Sequence, residues 1–454
     1  MSYILVLVSL LFTPLAALHA AEAKSAKPNV VFLLADDLGR GDLHCYGHPY
    51  ARTPNIDSLA RDGTRFMQYH ATGATCCPAR TGLMTSKWPA SYPTYPANGG
   101  FANHVTITEL LKKLGYATGH FGKWHIGPVQ KPGTYGIDVI GAGEVEAGGK
   151  KKKAVDERGR DAHIYDDAIK FIEQHKDGPF YVNVWGHIPH NPVNPVESLV
   201  KRWSGLKVKD SDFPPQMQGK FSDVRQAGGD VDDAMSRYLA DIESLDDAVG
   251  RILKKLDELG LRENTIVVFN SDQGADMTKA GLGGLRFNQM GSNGPQRGGK
   301  HTHWQGGMDV PWIVRWPGHV PAGRVDAQSV ISGADWLPTL CGITGVKINA
   351  ADFDGEDTSG AWLGQAPHVR TKPLLWKTSS PGSDSYIREG QWKLAQPTRK
   401  NGGDLELFDL IADPAESKNL AAQHPNIVKR LSAKVEAWVA TLPKDYVKSK
   451  DKDD

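Results

Sequence analysis

The run Asn29-Val30-Val31-Phe32-Leu33-Leu34-Ala35 is apolar almost without interruption and stops at Asp36-Asp37. A strand with one wet face alternates apolar and polar side chains. A continuous run is covered on both faces, the condition of a parallel strand lying under helices. Thr265-Ile266-Val267-Val268-Phe269-Asn270 repeats the pattern and ends in Ser271-Asp272-Gln273-Gly274. Runs at 116–121, 180–185 and 310–316 add further strands. Between them the apolar spacing is helical, at 53–59 with Pro54 in the first turn, and at 106–114, 161–175 and 232–259. Strands alternating with helices predict an α/β fold, a large mixed, mainly parallel sheet sandwiched by helices.

After residue 350 the texture changes. Segments 373–376, 385–396 and 405–410 are short mixed or apolar runs divided by Gly, Ser and Pro, and 425–442 has helical spacing. They predict a smaller C-terminal α+β domain, an antiparallel sheet plus a helix, over 360–454, with the α/β domain over 24–359.

Composition narrows the function. Lys+Arg number 53 against 52 Asp+Glu, and a net charge of +1 gives no field to gather nucleic acid, so no such partner is expected. A charged fraction of 23% with 12 Trp excludes a mostly disordered chain. Cys45, Cys76, Cys77 and Cys341 are too few for a disulfide scaffold, and adjacent Cys76 and Cys77 do not readily pair with each other. Residues 3–18 are nearly all apolar and Ala21-Glu22-Ala23 follows as a cleavage point, so 1–23 reads as a signal peptide, with an uncleaved anchor or a buried strand as alternatives. Export to the periplasm or the extracellular space is expected. No later segment is long and apolar enough for stable membrane insertion. Lys150–Lys153 read as a solvated loop or as a contact for an anionic polymer.

Ligands of an open α/β sheet bind beyond the carboxyl ends of its strands. Taken singly, Asp36, Asp37 and Asp272 read as caps or turn residues. If their strands are neighbours, three carboxylates meet in one crevice, and they repel unless a cation holds them. Oxygen ligands select a hard divalent ion, Ca²⁺ or Mg²⁺.

Cys76-Cys77-Pro78-Ala79-Arg80-Thr81-Gly82-Leu83-Met84-Thr85-Ser86-Lys87 carries the chemistry. Pro78 suits the first turn of a helix, which puts residue 76 at a helix N-terminus, where backbone N–H groups favour anions. The register resembles the signature of the type I, formylglycine-dependent sulfatases of the alkaline-phosphatase superfamily, with Ala79 in place of the commoner Ser. Further blocks look like that family's and occur in its order: Gly122-Lys123-Trp124-His125-Ile126-Gly127, Pro189-His190-Asn191-Pro192, and Gly299-Lys300 with Gly306-Gly307 and Val310-Pro311. In the smaller domain, Tyr386 to Leu394, Glu406 to Leu410 and Asp413-Pro414-Ala415-Glu416 are similar to its C-terminal signature.

The resemblance implies hydrolysis of a sulfate ester, with a sulfated carbohydrate as the expected substrate. It implies that a formylglycine-generating enzyme oxidises Cys76, and that Asp36, Asp37, Asp272 and Gln273, with residue 76, hold a cation, expected to be Ca²⁺ rather than Mg²⁺. Arg80 is expected to orient the formylglycine hydrate, and Lys123 and Lys300 to bind sulfate. His190 would protonate the leaving alcohol, with Lys300 as competitor, and His125 would serve the second hydroxyl. Three departures stand out: Gln273 where the family has Asn or His, Gln305 where it has Glu, and Met308-Asp309 where it has an apolar-Arg pair. Two alternatives accompany this reading: a phosphodiester or phosphonate hydrolase of the same superfamily, and a non-catalytic relative that only binds sulfated glycans.

Overall fold

The structure is a computed structural model and describes residues 27–95, 99–127, 131–141, 156–278, 282–377, 383–398 and 403–448. The expected signal peptide and Lys150–Lys153 lie outside the described residues. Strands β1 (Asn29–Asp36), β2 (Thr64–Phe66), β3 (Ala117–Gly122), β4 (Val139–Ile140), β5 (Phe180–Pro189), β6 (Thr265–Ser271), β7 (Trp312–Arg315) and β8 (Arg324–Asp326) form one sheet in the order β8-β2-β7-β6-β1-β5-β3-β4. From β6 to β4 all pairings are parallel. Strand β7 runs against both of its neighbours. The chain enters β7 from the glycine-rich block at the carboxyl end of β6, where the Gly274 amide donates to Gly307 O, so it can only run back down the sheet.

Every residue of β1 and β6 is buried, as their unbroken apolar runs require. Alternate side chains serve two layers. Val31 and Leu33 pack with helices α1 (Pro54–Arg61), α4 (Ala162–Gln174) and α5 (Val231–Glu258). Val30, Phe32 and Leu34 pack on the other face with α2 (Cys76–Thr85), α3 (Ile107–Lys113) and α6 (Trp336–Thr344). The long helix α5 starts where Asp230 accepts from the amides of Asp232 and Asp233.

Strand β5 runs four residues beyond the expected Trp185, because its pairing with β1 slips between Leu34 and Asp36 and resumes at Pro189. Such a bulge re-aims a strand end, here toward the His190 loop. The small sheet is antiparallel, β9 (Leu374–Lys377), β10 (Ser385–Glu389), β11 (Trp392–Gln396) and β12 (Glu406–Asp409) in that order. The run 385–396 folds back as a hairpin through Gly390, whose φ of 59° suits a residue without Cβ. Helix α7 (Pro425–Val439) sets Leu431 and Val435 against Ile387 and Leu394. No helix of the described residues is long and apolar enough to cross a membrane.

Candidate active site

The adjacency of β1 and β6 brings the acids together. Ala35 pairs with Ser271, so Asp36 and Asp272 leave the sheet level with each other. Asp37 follows in left-handed backbone, φ 64°, with its amide donating to Asp272 Oδ1 at 3.2 Å. A non-glycine residue in that region is uncommon and is held there by its surroundings. Helix α2 points its first residue, Cys76, at the acids, and all ten of its residues are buried. Carboxylate oxygens of Asp36, Asp37 and Asp272 and the sulfur of Cys76 all lie within 4.8 Å of one another.

Cations close the cluster. Lys123 Nζ donates to Asp36 Oδ2 at 2.8 Å and lies 3.4 Å from Cys76 Sγ. Lys300 Nζ donates to Asp37 Oδ2 at 3.1 Å and approaches His190 Nε2 at 3.2 Å. His190 Nδ1 stands 2.6 Å from Asn191 O, which fixes the hydrogen on Nδ1 and leaves Nε2 to accept from Lys300. Arg80 Nε and Nη2 both donate to Asp272 Oδ2, at 2.9 and 2.7 Å, and Nη1 donates to Lys123 O at 2.7 Å. Arg80 thus clamps Asp272 and the Lys123 turn. His125 lies on that same turn, at φ 57°. The Gln273 side chain reaches the cluster despite its extra methylene, with its amide against Asp37 Oδ1 and 3.2 Å from Cys76 Sγ.

The electrostatics follow from burial. Burial raises Asp36, but Lys123, His190, Arg80 and Lys300 outweigh it and hold the carboxyl well below its ordinary value. Asp272 goes the other way. Burial, then Asp36 and Asp37, push it up to about 7 against the pull of Arg80 and Lys123. Burial and the same acids raise the Cys76 thiol well above its usual range. Lys123 and Lys300 are raised despite burial by Asp36 and Asp37 respectively. Three carboxylates face three cationic side chains, and a further divalent cation would leave a surplus of positive charge that favours an anion. The donor set suits such an ion: hard oxygens, buried, with Gln273 Oε1 buried and lacking a hydrogen-bond partner among the described residues.

Sequence reasoning did not find the residues that hold this arrangement. Arg160 donates to His190 O at 2.7 Å and to Pro192 O at 2.9 Å, and pairs with buried Asp241 on α5 at 3.0 Å. Asp161 accepts from the amides of His187 and Ile188 at 2.6 and 2.9 Å. Neither belongs to a motif, and only the fold brings them under the His190 loop. Gln305 lies outside the cluster and meets His70 Nε2 at 3.2 Å, and Asp309 takes Arg40 at 2.6 Å.

Comparison with known proteins agrees with this geometry. The Sulfatase family model matches residues 28–346. Human arylsulfatase A is 29% identical over 92% of this chain and 84% of its own length. An N-acetylgalactosamine-6-O-sulfatase of Bacteroides thetaiotaomicron is 28% identical over 91% of this chain and 93% of its own. Among solved structures, a sulfatase from a Pseudoalteromonas species superposes with a TM-score of 0.68 at 25% identity, covering 94% of this chain and 92% of that one.

Proposed function

The chain belongs to the sulfatase family and is a sulfuric ester hydrolase, and from that premise we propose that it removes sulfate from a sulfated carbohydrate, with formylglycine at position 76 and Ca²⁺ between the strand tips. The observation that carries the reading is the cluster itself, Asp36, Asp37, Cys76 and Asp272 within 4.8 Å, with Lys123 and Lys300 on either side. The relative that acts on N-acetylgalactosamine 6-O-sulfate supports the carbohydrate class.

Asp36, Asp37, Asp272 and Gln273 would hold the cation, which draws charge from the sulfuryl oxygens and acidifies a hydroxyl at position 76. Formylglycine, as its hydrate, supplies two hydroxyls on one carbon, one to attack sulfur and one through which the aldehyde is regenerated. Asp272 would accept the attacking hydroxyl's proton, with Arg80, which donates twice to its Oδ2, keeping that carboxylate aimed. Lys123 and Lys300 stabilise negative charge on the sulfate oxygens. His190 Nε2 accepts from Lys300, so this pair would deliver the Lys300 proton to the leaving alcohol, and His125 would serve the second hydroxyl. The leader at 1–23 directs the chain to the periplasm or the extracellular space, and a formylglycine-generating enzyme acts on it during maturation. We place the boundary of the C-terminal domain at residue 360.

Peptide mass at residue 76, taken with turnover of an aryl sulfate and an aryl phosphate, tests the proposal. Formylglycine at 76 with sulfate turnover dominant is expected. Full activity with an intact thiol contradicts the mechanism, and dominant phosphate turnover contradicts the substrate. Calorimetric titration with Ca²⁺ should lose its heat in Asp37→Ala.

A further inference from the structure

A second cavity, of about 110 Å³, opens where the small sheet meets the start of α2. Thr75, Pro78, His301, His303 and Lys377 line it, and no carboxylate does among the described residues. Two of these adjoin the active site in the chain, since Thr75 precedes Cys76 and His301 follows Lys300. The His301 amide donates to Ala74 O at 2.8 Å, which joins the two segments beside the cavity. At about 30 Å³ per water molecule the space takes roughly three or four waters. That is room for one sulfate or carboxylate group and too little for a sugar ring.

The lining suits an anion. Lys377 ends β9 and donates to Ser383 O at 2.7 Å and Ser383 Oγ at 3.0 Å, leaving its ammonium one further hydrogen. Asp384, the acid that acts on Lys377, is itself engaged by the Thr398 amide at 3.0 Å. His303 is 5% exposed and stacks on Tyr386 with ring centroids 5.0 Å apart. No hydrogen bond among the described residues uses its ring nitrogens. Burial, then the charges of Lys393 and Lys377, hold it down to about 3, so the ring is neutral and offers one N–H. His301 stands exposed at the rim. The third Lys377 hydrogen and the His303 N–H, which no described residue accepts, offer an anion two donors, with no carboxylate among the described lining residues.

We propose that this cavity is a second anion subsite that receives a sulfate or carboxylate group on the alcohol part of the substrate, so that the preferred substrate is a carbohydrate bearing at least two anionic groups. The inference rests on the sulfatase reading and adds to it the recognition of a group that does not react. A hydrogen-bonded charge contributes about tenfold or more in affinity.

The test compares kcat/KM for a singly sulfated sugar, its doubly sulfated counterpart, and a singly sulfated counterpart that carries a carboxylate. The wild-type chain should prefer a doubly anionic sugar about tenfold or more, mainly through KM, and the arm that shows the preference identifies the group. Lys377→Met and His303→Gln should bring that ratio close to one. The ratio, unlike the activity, is insensitive to a partial loss of folded enzyme, and His301→Ala, at an exposed position, should lower it where a buried variant does not fold. A wild-type ratio near one, or a preference that survives in the variants, overturns the subsite while leaving the sulfatase reading standing. Turnover of none of the three while an aryl sulfate is still hydrolysed overturns the carbohydrate reading and the subsite with it.

Discussion

Asp309 stands where the related block carries arginine, and it is buried at 4% exposure. Burial raises its carboxyl, and Arg40, 2.6 Å away, and the Gln296 amide, 2.5 Å away, draw it back down. The reversed charge at 309 therefore meets an opposite charge supplied from the loop after β1. Removing one partner of a buried pair is far costlier than removing both. Arg40→Met should destabilise the fold by about 3 kcal/mol, and Arg40→Met with Asp309→Leu should recover most of it, as read by chemical denaturation. Glu356 makes a second residue-level case. Burial raises its carboxyl, but His368, Thr371 and Arg370 outweigh that and bring it down to about 2. An acid whose folded value lies below its unfolded value of 4.5 stabilises above pH 4.5, and that contribution is lost as pH falls toward 2. Glu356→Gln should lower Tm most above pH 5, with the gap to wild type closing by pH 2.

At the scale of elements, the strand tips were legible in the sequence because two unbroken apolar runs each stop at an acid, and burial on both faces leaves such acids nowhere to go but the end of the sheet. The helix that begins at Cys76 was legible for a similar reason, Pro78 sitting in its first turn. What holds the His190 loop was not. Arg160 and Asp241 are distant in sequence and follow no spacing rule, and they meet because α4 and α5 cross the same face of the sheet. Arg160→Met should free the carbonyl of His190 and lower kcat about tenfold, while Ca²⁺ affinity, measured by titration, stays within about twofold. Gly122 closes β3 at φ 107°, and a Cβ there would run into the carbonyl of Trp185. Gly122→Ala should therefore shift Lys123 and cost both stability and activity.

On the scale of the whole molecule, the small sheet is bonded into the catalytic unit through buried groups. Trp376 Nε1 donates to Ala71 O at 2.9 Å, and Arg388 approaches His70 Nε2 at 2.9 Å. Glu416, fully buried, accepts from Lys393 Nζ at 2.6 Å and from the Gln305 backbone N–H at 2.6 Å. The C-terminal signature was visible as a pattern, yet its role in receiving the glycine block next to Lys300 was not, since the contact spans more than a hundred residues. Glu416→Ala should destabilise by about 3–5 kcal/mol by stranding Lys393, and calorimetry should show one unfolding transition for both sheets together.

Cys76 has no exposed surface at all. A thiol sealed under its own helix is out of reach of any large visitor once the chain has closed. The conversion proposed for Cys76 would then have to precede folding, and the order of the two events would govern how much working enzyme a cell obtains. Mature chains purified with the thiol intact should stay unconverted when mixed with the converting enzyme, and accept conversion only after unfolding.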